Sequence, residues 1–357
     1  MARYLAVGNL NSSDAVLDTA AMRFFLGNPE VEFLHTGSKR DVLVKQRQSP
    51  KEAVRKALDG NFDLIIAGEN DFPYPNPRKS WAKNMARIIR QLVRYPNLLN
   101  AFRFPYSKVG SRLAGIDMRD RPVIDNRWFE ILDSCVCFFK RELPQNPCNA
   151  FLYTTARAEV AENLFGSEQF PRWLKKLRPI SLGIAPETVL QYSELSLPKK
   201  TDVFFAGELK WRTSRLAGFE QLEQLKKDGY AIDIASGKVP HDEFIRRCAQ
   251  ASIVWSPEGG GWDCFRHYEA ALAGSVPLMS TPTIRRHAPL VDGEHALYYY
   301  VEGNDFSCRI REALRDRKKL RTMGLAARQH VLQWHTYEAL GRYVIDETKR
   351  SAVANQA

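Results

Sequence analysis

The stretch Trp255–Leu278, WSPEGGGWDCFRHYEAALAGSVPL, decides how the rest of the chain is read. A short apolar run, Ser252 to Trp255, predicts a buried strand. Three consecutive glycines, Gly259, Gly260 and Gly261, predict a tight turn after it. Asp263 is placed to cap a helix that carries Phe265, Tyr268 and Leu272 on one face. Gly274 ends that helix, and Val276 to Met279 resumes as a strand. Strand, glycine turn and helix N-terminus together suit a bound phosphate, because small residues let backbone N–H groups approach an anion and the helix dipole favours negative charge.

Working outward, the same alternation recurs on both sides. Upstream, Asp202 to Ala206 (DVFFA) predicts a strand, Gly207 to Arg212 a loop, and Thr213 the cap of a helix running to about Lys227. Tyr230 to Ile234 predicts a further strand, and His241 or Asp242 caps a helix to Ala251 with Phe244, Ile245 and Cys248 inward. Downstream come an aromatic strand, Leu297 to Val301, and three helices, 306–315, 319–334 and 337–348. In the first half, Tyr4 to Val7, Val31 to Leu34, Asp63 to Ala67, Leu113 to Met118 and Cys135 to Phe139 predict strands, with helices at 15–26 and 50–58 between the first three. Continuous apolar strands such as DLIIA are buried on both faces of a parallel sheet, and alternating strands and helices imply doubly wound βα domains. The prolines at 171, 179, 186 and 198 punctuate the join between the halves, and Ile180 to Ile184 (ISLGI) predicts the start of a new run.

The chain's 357 residues accommodate two domains with separate cores. No apolar run approaches the roughly 18 residues that span a bilayer, and the N-terminus has no secretory apolar region, so a cytoplasmic location is expected. The six cysteines show no metal-type spacing with histidines and read as reduced core thiols. A net charge of +11 favours acidic partners. Residues 78–112 concentrate arginine, lysine and aromatics. A solvated basic face explains them most simply, and contact with an anionic acceptor or membrane surface is the sharper reading.

Arg266 and Glu269 are three apart and share a helical face. Arg266, in the first turn, reaches an anion held by the glycine turn, and Glu269, one turn deeper, suits hydrogen bonds from a ribose diol. The simpler alternative is a surface ion pair between the two. Arg212 and Arg215 would reach the same phosphates if strand 202–206 neighbours strand 252–255. A GxxxxGK[ST] loop and GxGxxG spacing are both missing, which argues against a P-loop NTPase and a dinucleotide-binding dehydrogenase.

The stretch SPEGGGWDCFRHYEAALAGSVPL resembles the donor-binding motif of glycosyltransferases with two Rossmann-like domains, the GT-B fold. It looks most like exostosin-like and related bacterial transferases. Ser256, Pro257, Gly259, Gly261, Asp263, Arg266, Glu269, Ala270, Gly274 and Pro277 match their pattern. DVFFAGELKWRTSR resembles the segment that carries phosphate-binding arginines, and FFKREL at 138–143 looks like an element closing the acceptor domain. The likeness covers about residues 200–340.

The resemblance implies an α/β GT-B fold of two Rossmann-like βαβ domains facing a central cleft. An acceptor-binding domain would span 1–178 and a nucleotide-sugar domain 179–335, with a C-terminal helix and tail, 336–357, packing back on the first. It further implies a nucleoside diphosphate sugar donor held by Arg212, Arg215, Glu258, Gly259, Gly260, Gly261, Asp263, Arg266, His267 and Glu269, with no metal and no cofactor. Many retaining members carry a second glutamate eight positions before the first, where this chain has Gly261. An inverting reaction is therefore expected, with Asp120 or Asp117 as base and Glu69 or Asp71 behind them. The acceptor would be a glycan, a lipid-linked molecule or a nucleic acid, in surface polysaccharide or lipopolysaccharide synthesis or on modified DNA bases. Peripheral contact with the inner membrane is compatible with the charge. A non-catalytic nucleotide-sugar or nucleic-acid-binding protein is the alternative.

Overall fold

A computed structural model describes residues 3–8, 23–35, 50–68, 80–82, 85–86, 89, 104–125, 128–152, 168–193, 195, 197–209, 213–235, 239–301 and 305–354. The chain divides into two compact units. One comprises Met1–Ile180, Ile284–His287 and Leu340–Ala357, the other Ser181–Thr283 and Ala288–Ala339.

The first unit is built on strands β1 (Tyr4–Gly8), β2 (Val31–His35), β3 (Leu64–Ala67), β4 (Leu113–Asp117), β5 (Cys137–Lys140) and β6 (Leu177–Pro179). They form one sheet in the order β2-β1-β3-β4-β5-β6, every pair parallel. The all-apolar β3, LIIA, is buried throughout, as a strand covered on both faces must be. Helices α1 (Pro50–Leu58), α2 (Phe129–Ser134) and α3 (Gln169–Lys176) are described beside it. Leu5, Ile65, Leu113, Trp128, Phe138, Phe151 and Trp173 share its core. Gly115 is required there: a Cβ would lie 2.6 Å from the Phe138 ring and 2.7 Å from Ile131.

The second unit contains α4 (Pro186–Ser193), β7 (Thr201–Phe205), α5 (Thr213–Lys227), β8 (Ile232–Ile234), α6 (His241–Gln250), β9 (Ala251–Trp255), α7 (Phe265–Leu272), β10 (Val276–Ser280), β11 (Leu297–Tyr299), α8 (Phe306–Leu314) and α9 (Arg317–Trp334). Its parallel sheet runs β11-β10-β9-β7-β8. A last helix, α10 (Tyr337–Ala354), belongs to the first unit from Leu340 onward. Among the described residues no helix is long and apolar enough to cross a membrane.

Trp255 anchors the second core. Its ring lies 4.3 Å from Phe205 and 5.2 Å from Phe306 between centroids, and its indole N–H donates to Tyr299 Oη at 3.1 Å. Gly218 lets α5 approach it, since a Cβ there would stand 2.3 Å from the indole. Gly274 takes a φ of +68°, which glycine alone adopts without strain, and closes α7.

Residues 180–184, read from the sequence as the start of a new apolar run, form no sheet strand. The edge strand is Leu177–Pro179, and Ile180, Leu182 and Ile184 are buried without joining a ladder. The Ile184 N–H donates to His335 O and its carbonyl accepts from Tyr337 N, so one isolated bridge replaces sheet pairing. The expected helix at 15–26 falls mostly outside the described residues, as does most of the basic segment 78–112.

Candidate functional site

In the second sheet the strand order reverses between β7 and β9, which pair directly (Val203↔Ile253, Phe204↔Val254). Doubly wound sheets bind ligands beyond the carboxyl ends of the strands at such a switch point. The loop after β7 and the glycine loop after β9 both emerge there. The neighbour relation on which the phosphate reading of Arg215 depended is therefore present. Arg212 lies outside the described residues.

The glycine loop is braced from inside. Ser256 Oγ lies 2.7 Å from His267 Nδ1, and His267 Nε2 lies 2.8 Å from the Trp262 carbonyl. A carbonyl only accepts, so Nε2 carries the ring proton and Nδ1 accepts from the Ser256 hydroxyl. Both ring nitrogens of this buried histidine are thus engaged within the loop. The Trp262 indole N–H donates to Ser280 O at 3.1 Å. Gly259 donates its N–H to Gly261 O at 2.8 Å, and a Cβ on Gly259 would stand 2.9 Å from Cys264 Sγ. Gly260 is exposed and Gly261 buried.

Arg215 ties the two loops together. It is 6% exposed. Its Nε and Nη2 donate to the Glu258 carbonyl, and its Nη1 donates to the Glu208 carbonyl at 2.7 Å. The expectation that Arg215 presents its guanidinium to a phosphate is revised by this geometry: these donors serve backbone carbonyls, and Glu258 enters through its main chain. Asp263 is likewise revised. Cys264 is the N-cap of α7 and makes no side-chain cap bond. The Asp263 carboxylate turns inward, accepting from Leu182 N at 2.8 Å and Tyr268 Oη at 2.5 Å. Its job is to pin the loop to the chain entering this unit. His267, expected at the ligand, is a brace.

Arg266 and Glu269 are different. The Arg266 guanidinium lies over the Phe205 ring, 5.8 Å from its centroid, and beside Gly207, where a Cβ would come within 3.3 Å of Nη2. Its hydrogen bond among the described residues is a long one, 3.4 Å to Pro257 O. The fork is thus held at the carboxyl end of β7 by ring and backbone, while most of its donors are unengaged among the described residues. Glu269 does not pair with Arg266. Its Oε1 meets His241 Nε2 at 3.0 Å, and this hydrogen bond raises the His241 pKa. No spacing in the sequence marks His241 as the partner, because it sits at the start of α6, 28 residues away. Pro240, not His241 or Asp242, is the N-cap of α6.

The expected bases lie in the first unit at the carboxyl end of β4. Asp117 is fully buried. It accepts from Arg119 Nε and Nη2 at 2.9 Å each, and Lys140 Nζ lies 3.5 Å away. Arg119 also donates to Asp125 at 2.8 Å, and its guanidinium stands 5.5 Å from the Trp128 ring. Burial pushes the Asp117 pKa up, but Arg119 and Lys140 together hold it well below the usual carboxylate range. Burial lowers the Lys140 pKa. Asp120 is half-exposed and accepts from the buried Arg141. Glu69 and Asp71 lie outside the described residues.

No protein-family model matches the sequence, and no curated protein matches it significantly. Solved structures do match. A glycosyltransferase from Rickettsia africae aligns at 10% identity and a TM-score of 0.54, covering 98% of each chain. The E. coli structure described as trehalose-6-phosphate bound with UDP-2-fluoro glucose aligns at 10% identity and 0.53, covering 98% of this chain and 99% of that one. An alpha,alpha-trehalose-phosphate synthase (UDP-forming) from Burkholderia vietnamiensis aligns at 9% and 0.51, covering 100% and 99%. At these identities the likeness shows the fold: two parallel-sheet α/β units of the GT-B type.

Proposed function

We propose that the chain is a glycosyltransferase that moves a sugar from a nucleoside diphosphate sugar to an acceptor hydroxyl. The observation that carries this reading is the Arg266–Glu269 pair on α7. The two share a helix beside the glycine loop at the switch point, yet do not neutralise each other. Two structures of the same fold are described as UDP-2-fluoro glucose-bound and UDP-forming, which supports a diphosphate donor.

In this reading the guanidinium of Arg266 accepts the charge that develops on the departing diphosphate through charge-assisted hydrogen bonds. Glu269, oriented by His241, accepts from the ribose hydroxyls. Arg215, Asp263 and His267 hold the loop in shape, and the glycines keep its backbone accessible to the anion. The donor is a substrate, and the reading invokes no resident cofactor or metal. Gly261 stands where retaining relatives of the resembled family carry a second glutamate, which favours an inverting displacement. Its base would take the acceptor proton as the anomeric bond forms. Asp120 fits that role better than Asp117. Asp117 is locked between two cations and its depressed pKa makes it a weak base, whereas Asp120 is half-exposed and paired with one cation, Arg141. The exostosin-like resemblance and a role in surface polysaccharide synthesis complete the proposal.

A thermal-shift screen against UDP-, GDP-, ADP- and CMP-sugars tests it, because a ligand that binds the native state raises Tm. A positive donor should then show hydrolysis or transfer that disappears in Arg266→Ala. Wild-type turnover in that variant would remove Arg266 from the site. Asp120→Asn should lower kcat far more than donor affinity, and equal losses would reassign the base.

A further inference from the structure

The first unit holds a cavity of about 550 Å³ at the opposite rim of its sheet from Asp117. Five cationic side chains, Arg172, Lys175, Lys176, Arg178 and Arg350, line it with a single carboxylate, Glu347. Val136, which directly precedes β5, and Lys175 and Lys176, which directly precede β6, place it at the amino ends of the strands. Substrate crevices of doubly wound sheets lie at the carboxyl ends. This cavity therefore lies at the end of the first sheet away from Asp117 and Asp120.

Its charge is not balanced from within. Glu347 is already claimed twice, by Arg178 Nε at 2.6 Å and Arg350 Nη2 at 2.8 Å. Lys176 Nζ donates to the carbonyls of Leu132 at 2.6 Å and Asp133 at 3.0 Å, near the end of α2. Arg178 reaches Ser351 Oγ at 3.4 Å. These contacts build a fixed wall. The side chains of Arg172 and Lys175, three apart on the outer face of α3, have no hydrogen-bond or ion-pair partner among the described residues. Phe170 and Trp173 bury the inner face of that helix. A merely solvated basic face would spread its charges over convex surface, whereas these converge on one concavity. An Arg fork beside a Lys point charge is the donor set that suits phosphate oxygens.

We propose that this cavity binds a phosphate-bearing group, with Arg172 and Lys175 as its direct ligands. A free phosphorylated molecule and an anionic lipid headgroup offer the same chemistry, and two measurements on the full chain separate them. One is calorimetric titration with inorganic pyrophosphate. The other is flotation with phosphatidylglycerol-containing vesicles against phosphatidylcholine vesicles. Each is run on the wild type and on the Arg172→Glu/Lys175→Glu variant, whose exposed positions leave the core intact, and an unchanged Tm checks the fold. Arg172→Gln/Lys175→Gln guards against charge reversal creating a new repulsion. Pyrophosphate binding that weakens about tenfold or more in the variants assigns a soluble phosphate ligand. Flotation with anionic vesicles that the variants lose assigns the headgroup. Identical isotherms and identical flotation in all three proteins overturn the site. Repeating the titration in Arg266→Ala separates this cavity from the donor site, because the wild-type-to-variant difference must persist there.

Discussion

Arg119 and Arg266 both follow parallel strands of doubly wound sheets, and they do opposite things with the same fork. Arg119 closes on Asp117 and Asp125, and Lys140 completes a buried ion cluster. Arg266 rests on an aromatic ring and a glycine, with one long hydrogen bond to a carbonyl. The first arrangement satisfies its charges internally and acts as structure. The second leaves donors facing the switch point. Charge at the carboxyl end of a strand is thus no sign of chemistry by itself. What separates the two is whether the neighbouring groups have already neutralised it.

The sharpest way to break this contrast is to open the closed cluster. Asp117→Ala strands Arg119 and Lys140 in the interior, and removing one partner of a buried pair costs about 3–5 kcal/mol. Urea unfolding should show that loss. A shift under about 1 kcal/mol would mean the cluster is solvated, contrary to the structure. Because the Asp117 pKa is depressed in the folded chain, its contribution is present above the ordinary carboxylate pKa of 3.8 and is lost as pH falls through the folded value. The cost of the substitution should therefore be the same at pH 6 and pH 8.

Arg266→Ala is the mirror experiment. Loss of a donor to developing charge lowers kcat by roughly 100- to 1,000-fold. Stability should stay nearly unchanged, since among the described residues the side chain makes a single weak hydrogen bond. A large drop in Tm with intact turnover would reverse the roles of the two arginines.

Gly218→Ala tests the scaffold under the open site. A methyl driven against Trp255 should destabilise by about 1–3 kcal/mol through overpacking. Denaturant midpoints would register it.

The smallest effect concerns His241. Its pKa is raised by Glu269, so the link is fully formed below the ordinary histidine value of 6.5 and is lost as pH rises through the raised one. The Tm difference between wild type and His241→Gln should therefore be larger at pH 6 than at pH 9, and should vanish in a Glu269→Gln background. A difference that grows with pH would contradict the pairing.

Much of the second unit was legible because its signals are local. Glycines, an apolar strand and a helix face lie within 24 consecutive residues, and the strand–turn–helix reading of 255–278 matches the structure. What failed was long-range. An aspartate just before a helix reads as a cap, but Asp263 is claimed by Leu182 N, 81 residues earlier. His267 and Arg215 look like anion ligands from composition, and only the folded loop shows their donors meeting carbonyls. His241 carried no signal, because its relation to Glu269 exists only once α6 and α7 pack. The sequence carries little signal for helices α2, α3 and α4. They are six to eight residues long, and two begin at or near a proline that reads first as a break. The first unit's α/β character was readable from DLIIA and its companions. Its buried ion cluster was not, since Asp117 and Lys140 meet only through the register of β4 and β5.

Arg215 has a practical meaning for anyone who would redesign the loops around the glycine turn. Because one guanidinium grips the carbonyls of both Glu208 and Glu258, the two loops are not interchangeable cassettes. A graft that imports a foreign glycine loop without a matching arginine, or without a carbonyl at the height of Glu208, arrives unanchored. Redesign of this rim has to move both loops and their shared tether as a single part.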